Sequence, residues 1–254
     1  MQDNVNELAR DLLTHVRSLR DAGILSVARS KSSFDGDFSD PSRGDGNADG
    51  AVTAPARISA SARTREDSAA QLSAIERELV GCELCRLSRG RQQIVFGTGN
   101  PDARILFVGE GPGKDEDESG KPFVGPAGQL LTDIIEKGMK IPRDEVYICN
   151  VVKCRPPGNR NPEEDEVASC RPFLQQQMQA VAPEVVIALG KFAAQTILGT
   201  TVPITRLRGN WQDYDGIPVM PTFHPAHLLR NPALKRDVWT DIQQVMRHLG
   251  MPGV

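Results

Sequence analysis

The run Arg104-Ile-Leu-Phe-Val108 leads directly into Gly109-Glu-Gly-Pro-Gly-Lys-Asp-Glu-Asp-Glu-Ser-Gly-Lys-Pro-Phe-Val-Gly-Pro-Ala-Gly-Gln-Leu-Leu131, and this stretch decides the architecture. An apolar run, a glycine-rich loop and an apolar-periodic segment from Leu130 to Ile135 predict strand, loop and helix. Gly109, Gly111 and Gly113 let the backbone bend sharply and come close to a ligand. Gly125, Ala127 and Gly128 keep the helix entrance small, so that its free N–H groups can face an anion or a polar edge. Between them lie the acids Asp115, Glu116, Asp117 and Glu118, and one aromatic residue, Phe123. No Gly-Lys-Ser/Thr follows the spaced glycines, which excludes a Walker loop. The long polar insert before the helix also fits a dinucleotide fingerprint poorly. A connection of this length between strand and helix is usually a functional one.

Outward from that loop, strands and helices alternate. Val146–Val152 reads as a buried strand and Val185–Leu189 as another, ending at Gly190 before a helix to about Leu198. A helix opens in Glu163–Glu166, acids favourable at its positive end, and runs to about Val181. A hairpin-like segment lies around Asp213–Gly216, and a last strand, Val219–Phe223, delivers His224-Pro-Ala-His-Leu-Leu229 ahead of a closing helix over 234–249. The pattern predicts an α/β fold, a three-layer α/β/α arrangement on a central, mostly parallel four-stranded sheet. In such sheets ligands gather at the carboxyl ends of the strands, here Gly109 onward, Asn150 onward, Gly190 and His224. Upstream, Val5, Leu8, Leu12, Val16 and Leu19 predict an amphipathic helix within 1–25, its face docked on the core or on a protein partner. Residues 26–66 have almost no large apolar side chains and read as a disordered linker. The globular domain is expected over 67–250.

The chain has 254 residues and a formal net charge of −3, which does not suggest a strongly basic nucleic-acid binder, although basic side chains outnumber acidic ones from Lys191 onward. No stretch is long and apolar enough to span a membrane and none resembles a signal peptide, so a cytoplasmic location is expected. There, cysteines are metal ligands or free thiols more often than disulfides. Cys82 and Cys85 form a C-x2-C pair, and Cys154 and Cys170 follow much later. One tight pair plus two spread thiolates fits a tetrahedral zinc or an iron–sulfur cluster. Its role would be structural, fixing the loop that carries Arg155, Asn159 and Arg160. Cys149, inside a predicted strand, reads as a small apolar filler.

From about Leu79 to Leu249 the sequence resembles the family 4 uracil-DNA glycosylases, the iron–sulfur branch of the uracil-DNA glycosylase superfamily. The resemblance rests on Gly109-Glu-Gly-Pro-Gly113, Gly120-Lys-Pro-Phe-Val-Gly125, Asn150-Val-Val-Lys-Cys-Arg-Pro-Pro157, the four cysteines and His224-Pro-Ala-His-Leu-Leu229. It implies hydrolysis of the N-glycosidic bond of deoxyuridine in DNA, single- or double-stranded, by a monomer carrying a structural 4Fe-4S cluster on Cys82, Cys85, Cys154 and Cys170. It also implies roles: Phe123 as stacking platform, Asn150 as the amide pairing with the uracil edge, and His224 as hydrogen-bond donor to uracil O2, with Gly111 lining the pocket. Leu228, with Leu229 behind it, takes the place of the wedge inserted into the vacated stack, and Asn159 and Arg160 contact DNA. Gly111 stands where the best-known branch has a carboxylate that positions water. Glu110 and Glu116 are the candidates to replace it, Glu116 alternatively crowding the methyl group of thymine. No histidine lies between His15 and His224, so covalent trapping of the abasic sugar is not expected. A wider-substrate glycosylase of the superfamily and a non-catalytic cluster-bearing DNA-binding module are the alternatives.

Overall fold

The computed structural model describes residues 64–252. The predicted helix within 1–25 and all but the last residues of the expected linker lie outside them. Those last residues are not linker. Thr64 caps helix α1 (Arg65–Leu79), its hydroxyl accepting from the Asp67 N–H while the Asp67 carboxylate accepts from the Thr64 N–H. This reciprocal cap starts the fold slightly before the expected boundary.

Six strands form one sheet among the described residues: β1 (Thr98–Gly99), β2 (Ile105–Gly109), β3 (Tyr147–Asn150), β4 (Val185–Leu189), β5 (Gln212–Tyr214) and β6 (Ile217–Thr222). Their order is β1-β3-β2-β4-β6-β5. The four inner strands are parallel, as expected, and each edge adds a short antiparallel strand to the expected four: β5 lies in the segment that reads as hairpin-like, whereas β1 has no counterpart in the expectation. At two residues β1 is too short for periodicity to reveal. β5 joins β6 through Asp215-Gly216, both at positive φ, the conformation a two-residue hairpin requires.

Residues of the inner strands alternate between two cores. Leu106, Val108, Tyr147, Cys149, Val186 and Ala188 pack with α1, α4 (Glu164–Val181) and α5 (Gly190–Leu198). Ile105, Phe107, Ile148, Val185, Ile187 and Met220 pack on the other face with α3 (Pro126–Asp133) and α8 (Lys235–His248). Burial on both faces is why these strands read as unbroken apolar runs. Short helices α2 (Lys114–Ser119), α6 (Ile204–Leu207) and α7 (Pro225–Arg230) complete the regular elements, and α3 continues through a wide π turn, Ile134–Met139. The parallel register places Gly109 beside Asn150 and Leu189 beside Thr222, so the loops after all four strands open on one edge of the sheet.

Candidate active site

At that edge lies a cavity of about 440 Å³, lined by the loop after β2, the end of β3, the turn after it and α7. Its floor is built from Gly109, Asn150 and Phe123. Asn150 is 1% exposed, and its side-chain oxygen finds no hydrogen-bond partner among the described residues. A Cβ on Gly109 would lie 2.4 Å from that oxygen and 2.5 Å from the Phe123 ring, so only glycine lets amide, ring and backbone converge. Phe123 itself sits at φ 55, a left-handed conformation that costs a bulky residue about 1–3 kcal/mol. Below the floor the fully buried Lys153 donates from Nζ to the Asn150 carbonyl at 2.6 Å and to the Gln177 side chain.

His224 forms one wall. It is the N-cap of α7, and its Nδ1 accepts the Ala226 N–H at 3.1 Å. An acceptor at Nδ1 leaves the ring proton on Nε2, so the neutral imidazole donates from that side. Burial, reinforced by the charges of Arg230 and His227, holds its pKa down at about 4. The ring stands 5.5 Å from Phe123, tilted by 32°. Its backbone is anchored from β6, where the Thr222 hydroxyl donates to Asp241 at 2.6 Å and Asp241 is bound in turn by Arg208. The Asp241 carboxylate therefore holds the strand end that carries His224.

Glu110 lines the same cavity, and burial pushes its carboxyl up to about 7, against the pull of the Lys191 ammonium. Gly111 lies next to it, where a Cβ would meet Val152 at 2.7 Å. Glu116 has a different setting. Its carboxylate accepts the N–H groups of Gly113, Val124 and Gly125 at 3.0, 2.9 and 2.9 Å. The free N–H groups at the entrance of α3 thus meet an anion, and it is the loop's own Glu116 rather than a ligand. Asn159, at φ 55, borders the cavity on the exposed turn after β3, with its oxygen accepting from Arg155 at 2.7 Å. Lys114, Arg160 and Arg230 add positive charge to the lining.

One expected site residue belongs elsewhere. Leu228 is 1% exposed and packs in the core with Leu131 and Val238, so it cannot enter a base stack. Leu229, 46% exposed, is the outward apolar side chain of that helix. The reason is helical spacing: adjacent residues point about 100° apart, and the side chain facing the sheet is Leu228. Sequence reasoning also missed Lys153 and Arg143, which bond the backbones of Asn150 and Phe123 from behind, and Asp241, which binds Thr222 two residues before His224. The one available signal was a lone charged residue, Lys153, within an apolar stretch.

Cys154 and Cys170 are buried, with Cys82 and Cys85 packed against the same core. Arg91 and the Lys153 N–H donate to the sulfurs of Cys154 and Cys170, both at 3.4 Å. Burial raises the Cys154 thiol to about 11 and also raises that of Cys170, in each case with neighbouring cysteines contributing. A single tetrahedral ion at about 2.3 Å from each sulfur needs all four close together, and no such group exists among the described residues. A four-iron cluster gives each thiolate its own iron and spreads the sulfurs. The four cysteines approach one another from the segment after α1, the loop after β3 and α4, with N–H donors on two of the sulfurs.

The fold and the site define a base-excising enzyme of the uracil-DNA glycosylase class. The sequence model of the uracil DNA glycosylase superfamily matches residues 96–243, and the chain is 48% identical to a type-4 uracil-DNA glycosylase of Thermotoga maritima over 68% of its own length and 91% of the relative's. Type-4 uracil-DNA glycosylases of Sulfurisphaera tokodaii and Saccharolobus solfataricus are 42% and 40% identical, over 68% and 70% of this chain and 83% and 86% of theirs. The chain belongs to the type-4 uracil-DNA glycosylases. No helix among the described residues is long and apolar enough to cross a membrane.

Proposed function

We propose that the protein removes uracil from DNA by hydrolysing the N-glycosidic bond of a flipped deoxyuridine, leaving an abasic site for base-excision repair. The observation that carries this reading is the buried, unpartnered oxygen of Asn150 at the floor of a base-sized cavity. A buried acceptor without a donor is costly, and a ligand that brings an N–H removes the cost. Uracil brings N3–H to that oxygen, and its O4 accepts from the amide nitrogen. Cytosine presents an acceptor and a donor at the same two positions and mismatches both.

Phe123 stacks on the base as it leaves the helix. The C1′–N1 bond breaks with its electron pair moving into the uracil ring, and negative charge gathers at O2. Neutral His224 donates from Nε2 to that oxygen. One such donor in a dry pocket is worth about 3 kcal/mol. Glu110 in its ionised form orients a water toward C1′ and takes its proton. The proton passes on to the uracil anion, and free uracil and an abasic sugar result. Gly111 lets the backbone beside Glu110 pack against Val152, where any side chain would clash. Glu116 fixes the loop around the base, so any exclusion of thymine is exerted through loop shape as well as through the side chain itself. Leu229 rather than Leu228 fills the vacated stack, and Arg160 and Asn159 face the strand.

Cys82, Cys85, Cys154 and Cys170 hold a 4Fe-4S cluster in this reading. When bound, it would supply a four-point tie among the segment after α1, the loop after β3 and α4. The enzyme acts as a monofunctional hydrolase and as a monomer in this reading, and its DNA substrate implies a cytoplasmic, nucleoid-associated location.

The test is incubation with a labelled strand carrying one uracil, then alkali, with matched thymine and hypoxanthine strands, alongside iron and sulfide analysis. Cleavage at uracil alone is expected, with iron and sulfide present in a four-to-four ratio. Cleavage at hypoxanthine as well would favour the wider-substrate branch, and no cleavage by an iron-loaded preparation would refute the enzyme reading.

A further inference from the structure

Phe123 is held in place by something other than its own preference. A phenylalanine at φ 55 is under strain, and the surrounding structure must impose that conformation. Two contacts do so. Gly128 passes so close that a Cβ there would lie 1.9 Å from the Phe123 carbonyl oxygen. From the other side Arg143 donates through Nη2 to the carbonyls of Pro122 and Phe123, each at 3.0 Å, and through Nη1 to the Thr132 hydroxyl at 2.7 Å.

Arg143 lies in the 3₁₀ turn Arg143–Glu145, immediately before β3, the strand that ends in Asn150. No carboxylate lies within salt-bridge distance of it among the described residues, so its donors serve this loop rather than an ion pair. The planar fork of a guanidinium spans two successive carbonyls and a hydroxyl in fixed geometry; a lysine ammonium cannot. Thr132 in turn donates to the Gly128 carbonyl at 3.0 Å, which ties the close-passing helix to the same fork.

We propose that Arg143 is a positioning residue for base recognition: it clamps the backbone of Phe123 so that the ring is held against Gly109 at the cavity floor. The proposal rests on the reading of Phe123 as the surface on which the base stacks. Loss of the clamp releases the strained backbone, and the ring leaves its stacking position while DNA contacts elsewhere persist.

The experiment uses the full chain with a fluorine label on Phe123, in wild type, Arg143→Ala and Arg143→Lys, with melting temperatures recorded for each. Expected in Arg143→Ala is a shifted or broadened Phe123 fluorine signal and a tenfold or larger fall in single-turnover uracil excision. Affinity for a strand with an abasic-site analogue, which has no base to stack, should change less than twofold. Millimolar guanidinium should partly restore both signal and rate in Arg143→Ala, whereas Arg143→Lys, which keeps the charge and provides the folded comparison, should resemble Arg143→Ala. A fluorine signal identical to wild type in both variants would overturn the proposal, as would a lower melting temperature accompanied by an unchanged rate. If wild type excises no uracil, the functional reading fails while the fluorine comparison still decides whether Arg143 sets the ring.

Discussion

At the cavity floor the Asn150 amide keeps a buried oxygen unpaired, while a few residues further along the chain every buried donor and acceptor is used. There Arg160 grips both oxygens of the fully buried Glu166 at 2.6 and 2.8 Å, and the Glu163 N–H adds a third bond at 2.8 Å. Lys153 is shared between the Asn150 carbonyl and Gln177, whose amide continues to the carbonyl of Phe96. Of the buried side-chain polar atoms described, only Asn150 Oδ1 and Ser68 Oγ lack a partner. A satisfied network holds a structure; an unsatisfied atom at the bottom of a cavity is open to a partner from outside the fold. Substitutions in the two regions should therefore separate activity from stability.

The largest effect should come from Asn150→Ala. Uracil excision should fall by about 1000-fold, in line with removal of a transition-state hydrogen-bonding group, while the melting temperature holds or rises because a costly unpaired acceptor is gone. Single-turnover kinetics and calorimetry on one preparation check both halves. A marked loss of stability would mean that the amide oxygen is paired within the fold, and the contrast between the two regions would collapse.

Glu110 comes next. Its carboxyl titrates at about 7, so the ionised form is scarce well below that pH and dominant well above it. If that form orients water, the excision rate should rise through pH 7 and level off, and Glu110→Gln should be slower by roughly tenfold to a hundredfold with that rise abolished. Stability should follow the opposite course. With its folded pKa raised above the ordinary 4.5, Glu110 gives a contribution present below about 4.5 and lost as pH rises to about 7. Glu110→Gln should flatten that decline, read as melting temperature against pH. On the satisfied side, Glu166→Gln leaves Arg160 without its bidentate partner and should lower the melting temperature by roughly 5 °C, with the excision rate per folded molecule within a factor of two.

How far the sequence could foresee this division depends on which interactions leave a periodic trace. The parallel strands were legible because burial on both faces makes them continuous apolar runs, and the loops at their carboxyl ends located Glu110, Asn150 and His224 together. The edge strand Thr98–Gly99 was not, since two residues carry no period. Glu116 was readable as a loop acid but not as the anion that caps α3, because that depends on how the loop folds back over its own N–H groups. Arg143 and Asp241 were invisible for a related reason. Each acts across the fold, on Phe123 and, through Thr222, on the strand that carries His224. Nothing in local sequence separates such residues from surface charges.

Leu228 and Leu229 give the smallest effect on activity and the finest division between the two kinds of residue, since they are neighbours on one helix. Leu228 is sealed in the core beneath α7, and Leu229 is 46% exposed on the same helix, whose His227 and Arg230 line the cavity. Leu228→Ala opens a hole among Leu131, Val238 and their neighbours and should cost about 2–4 kcal/mol of stability, with excision slowed only as far as α7 and its N-cap His224 are disturbed. Leu229→Ala removes no buried contact, so its melting temperature should match wild type. A side chain that fills a vacated base stack matters only where a stack exists. Leu229→Ala should therefore slow excision from double-stranded DNA by roughly threefold and leave the rate on a single strand unchanged. Equal slowing on both substrates would place Leu229 among general DNA contacts, and an unchanged rate on both would leave the vacated stack to be filled by another side chain.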